Sequence, residues 1–593
     1  MTRRSGFTNG LALIVVLAIG CGGGADKGTT DGRATENDGG ATFADVSSEA
    51  MAEEDAAADG PTSEDGGGND GGLTTDDGGD GGTSDAGPSD GGGEDSGNGD
   101  SGVADPFPQA FGVFAVFTEE FADFGRAMGF SDLAGYQDWA GGRMKELGAT
   151  WTRSNLQFVW DLVEPEVGDP FDWMASRGGD EVFAGAARHG VHYLAVFHEG
   201  SGPKSVSDPQ HPMLRNPLED LTAYKRFVKA AVERYDGDGV DDNPYGIVIK
   251  HWQAGNETPG WTDSGRNAGD YVAWFSAIAE AAREADPEAR MVVIASTDAT
   301  RGDPLHEQVV PKLAAAGVRF DAIDLHHWGT AKDFTMSAVP EYRSALQDLG
   351  LPDVELWSCE HGTNVGTPVE RPGQCSPACN QNQVCVPGLS QCRDRCASDA
   401  SCPAFRPHCD TDTGLCNLAE QTQADQARSL VYRYVVNRAL GVKRIMWNNL
   451  AAWHCFSGMC GGFFDLVGLV ADGYGPGETA ADVGRKRLSF HSYRMLAERT
   501  DAPVAEQLGE VSTGDPAVHV YSYRNFSTGK VGFVAWADSV GQATLDFSDA
   551  EAMVTGLITD ADGVPLRSET IGPSGGKVAV DLDPDPVWIE ERL

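Results

Sequence analysis

The chain has 593 residues and a formal charge of −46, so it is too long for one ordinary domain, and it lacks the basic footprint that nucleic acid binding needs. The acid excess is uneven: between Cys21 and Asp105 there are 22 acids against two bases, Lys27 and Arg33, in a background of Gly, Ser, Thr and Ala. That composition excludes a packed core, because too little apolar surface is available to offset the ordering entropy. Residues 22–106 are expected to form a flexible, self-repelling tether.

The first element precedes the tether. Arg3 and Arg4 lead into "LALIVVLAIG", an apolar run too short to span a membrane, which ends at Gly20-Cys21. Residues 1–21 resemble a bacterial lipoprotein signal, with Cys21 as the lipidated residue. Leu17 stands one place further from the cysteine than in the usual pattern, and Ala18 takes its place. The resemblance implies export, either as an outer-membrane or cell-surface lipoprotein held to the membrane through a lipid anchor, or by ordinary secretion. Arg3-Arg4 also hints at the twin-arginine route.

From Phe111 the texture becomes an alternation. Strand candidates are 111–117, 150–156, 192–197, 247–252, 290–296, 320–328, 354–360 and 443–450. Between them, and after the last, lie eight stretches such as "LTAYKRFVKAAVERY" and "DYVAWFSAIAEAAREA", in which apolar residues recur at three and four. Eight strands alternating with eight helices predict a (β/α)8 barrel over 107–500. A doubly wound open sheet is the competing arrangement, but no Gly-rich phosphate loop follows any strand, and no cofactor is expected.

After the seventh strand candidate the chain becomes cysteine-rich. "CSPACNQNQVCVPGLSQC" has spacings of three, five and six, and "CRDRCASDASCPAFRPHC" repeats them while sharing Cys392. Eight cysteines between Cys375 and Cys416 predict a disulfide-stapled insertion over 371–418, with the connectivity left open. Cys455 and Cys460 could add a bridge; Cys21 and Cys359 remain, and lipidation of Cys21 would leave Cys359 as the odd thiol. A zinc site fits less well, since no C-x2-C pair occurs. Beyond Asp501 short alternating strands and turn residues predict an antiparallel β-sandwich over 501–593.

In a barrel the chemistry gathers where the strands end. "IVIKHWQAGNETPGW" puts Glu257 just past the fourth strand, and "VELWSCEHGTN" puts Glu360 at the end of the seventh. A buried carboxylate is costly unless something uses it, and two across one mouth can cleave a glycosidic bond. Asn256-Glu257 with Glu360 on these strands resembles the retaining glycoside hydrolases of clan A. "LGATWTRSNLQFVWDLVEPEVGDPFDW" more loosely resembles family 39-like members. The resemblance implies a retaining glycosidase acting on a carbohydrate substrate, with Glu257 as acid/base and Glu360 as nucleophile. Asn256 would bond the sugar 2-hydroxyl, and Arg153 would hold Glu360 ionised. His326 or His327 would contact the nucleophile, Trp447 would lie under the sugar, and His198, with Glu199, would line the subsite. Cys359 beside Glu360 departs from that pattern.

Two other function classes stand beside this one. A decayed barrel would make the chain a non-catalytic carbohydrate-binding surface lipoprotein, but Glu257, Asn256 and Glu360 are all present. A metal-dependent hydrolase could use His198, His251, His326 and His327, yet the expected His-x-His pair is missing from "FAVFTEE", and no metal is expected. The acids in "YDGDGVDDNPYG" fit an Asp-Gly turn cluster better than a calcium loop, since no bidentate Glu follows at the usual distance.

Overall fold

The computed structural model describes residues 108–592, except 115–116, 118–121, 154–157, 175–178, 201–214, 264, 297–304, 329–333, 369–377, 387–390, 403–407, 418–419, 452–462 and 548–549. The signal-like segment, Cys21 and the tether lie outside the described residues, as do Cys375, Cys455 and Cys460.

Eight parallel strands close on themselves: β1 (Phe111–Val113), β2 (Trp151–Arg153), β3 (His192–Phe197), β4 (His251–Ala254), β5 (Arg290–Ser296), β6 (Ala322–Leu325), β7 (Glu355–Gly362) and β8 (Val442–Trp447). Each pairs with the next, and β8 pairs with both β7 (Val442↔Leu356) and β1 (Phe111↔Ile445). A two-residue continuation of β6, His327–Trp328, pairs with His361 and Gly362 at the end of β7. Helices cross over between the strands, so the chain forms a (β/α)8 barrel. Local signals set the helix starts. Asp132 caps Leu133–Leu147 through the Gly135 amide, and capping boxes at Asn267/Asp270 and Thr422/Asp425 open Ala268–Ala285 and Gln423–Ala439.

The strand pleat sorts side chains into two cores. Trp151, Leu194, Val292, Ala322, Trp357, Cys359 and Met446 fill the barrel interior. Their neighbours on the same strands, such as Trp252, Ile323 and Ile445, join the larger core under the helices. The fourth strand differs from the expected 247–252. Asn243 holds Ile247 at both backbone groups, and the Ile249 amide donates to the Tyr235 carbonyl. That apolar run is thereby tied to the preceding loop, and sheet pairing begins only at His251.

After β7 the cysteine-rich insertion forms two small hairpins, Gln383–Val386 with Gln391–Asp394 and His408–Asp410 with Leu415–Asn417. Disulfides join Cys379 to Cys392, Cys396 to Cys409 and Cys402 to Cys416, and Cys385 is also disulfide-bonded. Such bridges fit an oxidising compartment. No helix among the described residues is long and apolar enough to cross a membrane.

C-terminal to the barrel, a six-stranded antiparallel sheet built from Ala505–Glu510 onward packs on the two-stranded sheet Gly541–Asp546/Lys577–Leu582. Val520, Ala535, Val554, Leu545 and Val580 lie between the two sheets. The other face of the larger sheet, with Tyr521, Trp536 and Trp588, joins the main core. Tyr432 lies tilted against Trp536 at 4.6 Å, and Arg428 pairs with Asp585 at 2.5 Å.

Candidate active site

At the C-terminal ends of the strands the inward positions change from apolar to charged. Arg153 follows Trp151 on β2 by two residues, Gln253 follows His251 on β4, and Asp324 and His326 follow Ala322 on β6. Each is the next inward position of its strand. Gly255, at φ 81, then turns the chain beyond β4 so that Glu257 pairs beside Ala295 on β5. Glu360 reaches the interior differently. Ser358 pairs with Ile445 and His361 with Trp447, so β7 carries one residue more than β8 over this interval. This bulge lets Cys359 and Glu360 both face inward, whereas strict alternation would send Glu360 outward.

The result is a largely buried, connected cluster. Arg153 is wholly buried and donates to Gln253 Oε1 at 2.6 Å, to Glu360 Oε1 at 2.6 Å and to Asn256 Oδ1 at 2.8 Å. His326, also wholly buried, lies 2.7 Å from Glu257 Oε1 through Nδ1 and 3.1 Å from Asp324 Oδ2 through Nε2. Gln253 donates to the same Asp324 oxygen at 2.9 Å, and the Cys359 amide donates to Asp324 Oδ1. One carboxylate oxygen each of Glu257 and Glu360 lies within 4.8 Å of the other. Glu257 Oε2 is buried and has no partner among the described residues.

Burial disfavours charge on Arg153, Asp324, His326 and Glu360, and their partners decide what survives. On His326, desolvation is outweighed by the charges of Glu360 and Asp324, which push its pKa up to about 10. It is therefore an imidazolium at neutral pH and donates from both nitrogens. Asp324 is desolvated too, yet His326 and Arg153 hold it far below the usual carboxylate range. Burial raises the Glu360 carboxyl above its ordinary value, against the pull of His326 and Arg153.

The structure brings Glu257, Glu360, Asn256, Arg153 and His326 together. His198 directly follows β3 and is partly exposed, with its Nδ1 accepting from the Gly200 amide. Two expected residues are elsewhere. His327 faces outward, one residue past His326, and its Nδ1 accepts from Arg433 on the helix Gln423–Ala439. Trp447 also lies on the outer side of its strand, wholly buried, with its indole donating to the Val467 carbonyl and its ring edge-on to His361. The pleat sends both to the helix side of their strands. Glu199 is buried in the loop past β3, where its backbone carbonyl accepts from Arg266 at 2.5 Å.

Sequence reasoning missed Asp324 and Gln253. The signal for Asp324 was present in "DAIDLHHW", where an acid two places before His326 must share its face. One ligand atom each of Glu257, His326 and Glu360 lies within 4.8 Å of the others, a spacing that could surround an ion. In the Asp-Gly loop, Asp236, Asp238 and Asp242 accept from backbone amides of the same turn.

No family model matches the sequence, and no curated protein matches it. Solved structures do. A family 39 glycoside hydrolase from the gut symbiont Bacteroides cellulosilyticus superposes with a TM-score of 0.51 at 11% identity, covering 82% of this chain and 81% of that one. A glucosidase from Croceicoccus marinus gives a TM-score of 0.51 at 14% identity, covering 82% and 96%. At such identities the likeness is one of fold: a parallel barrel of the kind that glycoside hydrolases use.

Proposed function

We propose that the protein is a retaining glycoside hydrolase that cleaves β-glycosidic bonds in polysaccharides or oligosaccharides through Glu257 and Glu360. The observation that carries this reading is the separation of the two carboxylates, with oxygens within 4.8 Å. Retaining enzymes hold their carboxyl groups about 5–5.5 Å apart, whereas inverting ones leave roughly 6.5–9.5 Å for a water.

The cluster's charges suit both halves of a double displacement. Arg153 and His326 carry two positive charges, and Asp324 and Glu360 carry two negative ones, so the cluster is neutral when Glu257 holds a proton. Glu360 attacks the anomeric carbon, and Glu257 gives its proton to the departing glycosidic oxygen. Glu360 is then an uncharged ester and Glu257 an anion, and the balance is unchanged. Water then attacks the anomeric carbon, Glu257 takes its proton, and Glu360 leaves as a carboxylate. The bare Oε2 of Glu257 is the oxygen that can hold the travelling proton, because His326 occupies Oε1. Arg153 takes the Asn256 oxygen, so Asn256 meets a sugar hydroxyl through its amide N–H.

The test is a panel of aryl β-glycosides and polysaccharides, run beside Glu360→Ala and Glu257→Ala. Activity lost in both variants supports the assignment, and wild-type activity indifferent to either substitution contradicts it. The carbohydrate is the expected partner, and Cys21, if lipidated, would tie it to a membrane.

A further inference from the structure

With Trp447 turned away from the mouth, the ring that a bound sugar would rest on has to come from elsewhere. Trp328 is the next inward position after Ala322, Asp324 and His326. It is half-buried and pairs with Gly362, two residues past Glu360 on β7. Gly362 has no side chain, and a Cβ there would meet Trp328 Cζ3 at 3.6 Å and the Asn448 carbonyl at 2.9 Å. The indole therefore leans into the layer directly above Glu360. Phe463 and Phe464 each meet it edge-on at 5.6 Å and cross one another at 5.5 Å, which fixes its tilt.

The polar surroundings of this ring are unmet. Among the described residues, Trp328 Nε1 is buried without a partner. Asn448, just past β8, is wholly buried, and among the described residues nothing bonds its side-chain nitrogen or oxygen. Each unmet buried group costs about 1–3 kcal/mol until a ligand or water meets it. A pyranose supplies what is missing, with an apolar face for the ring and hydroxyls for the amide.

We infer that Trp328, braced by Phe463 and Phe464 and flanked by Asn448, is the aromatic wall of a pyranose-binding subsite directly above Glu360. This rests on the glycosidase reading and names the residues that grip its substrate.

The test compares the full chain with Trp328→Phe and Trp328→Leu. The probe is whichever of 4-nitrophenyl β-D-xyloside, β-D-glucoside or β-D-mannoside the wild type turns over. We expect KM to rise roughly ten-fold in the Leu variant and only about two- to three-fold in the Phe variant, with kcat falling less than KM rises. Adding the probe to the Glu360→Gln chain should change its tryptophan fluorescence, and Trp328→Leu should remove most of that change. Continued hydrolysis with KM equal in all three chains would overturn the wall while leaving the glycosidase reading intact. No turnover or binding of any probe by the wild type would remove both.

Discussion

The inward and outward faces of the same strand ends hold similar residues in opposite electrical settings. Inward, His326 sits between Asp324 and Glu257 and stays charged to about pH 10. Outward, one residue along, desolvation and the charge of Arg433 push His327 far below its ordinary value. Glu360 and His361 repeat the contrast on β7: the acid bonds Arg153, and the histidine, also neutralised by burial, lies against Tyr434 and Trp447. The pleat therefore assigns roles at this mouth, and the bulge in β7 is the local exception that turns Glu360 inward.

The sharpest way to break the comparison is to replace one residue on each face. We expect Glu360→Gln to cut kcat by about 10,000-fold or more, as losing a nucleophile does. His361→Gln should alter stability far more than turnover. Steady-state kinetics with an aryl glycoside decides between them, and equal losses would mean that the outward face takes part.

Stability gives the next contrast. Arg153→Met leaves Glu360 and Asp324 buried without their cation, and breaking a buried ion pair costs about 3–5 kcal/mol. Trp447→Phe loses one hydrogen bond and some packing, about 1–3 kcal/mol, and should leave KM unchanged. Urea unfolding and KM measured on the same preparations check both.

A pH series separates the two histidines. The pKa of His326 is raised from 6.5 to about 10 on folding, so its stabilising contribution is complete below about pH 6.5 and fades as pH rises through 10. The difference in melting temperature between wild type and His326→Gln should therefore shrink from pH 6 to pH 10.5. In the pH–rate profile, the acid limb should lie above the ordinary glutamate value, because burial raises the Glu360 carboxyl.

The smallest effect should come from the stapled insertion, which follows β7 and forms its own hairpins. Deleting 371–418 should change the ranking of polysaccharide substrates and spare hydrolysis of a small aryl glycoside.

Much of the barrel was legible because helix and strand periods differ so clearly between Phe111 and Thr500. The pairing of Glu257 with Glu360 was legible because chemistry in a barrel gathers at the strand ends. The facing of single residues was harder to read. A residue drawn at a strand end can point either way, and His326 could be told from His327 only by counting inward positions from Ala322. The same count sends Trp447 outward and keeps Trp328 inward. The bulge at Cys359 and Glu360 leaves no composition signal, and the late start of β4 depends on Asn243, far outside any strand pattern. Cys359, which looked out of place in the sequence, is an interior residue of the barrel.

The most direct test of the central claim is azide rescue of Glu360→Ala on an aryl β-glycoside, with the product's anomeric configuration read by NMR. We expect azide to restore turnover and to give the α-glycosyl azide, since azide enters the space left by the nucleophile and displaces the aglycone once, with inversion. Rescue of Glu360→Ala to a β-azide, or rescue that occurs only in Glu257→Ala and yields the α-azide, would contradict the assignment of Glu360 as the nucleophile.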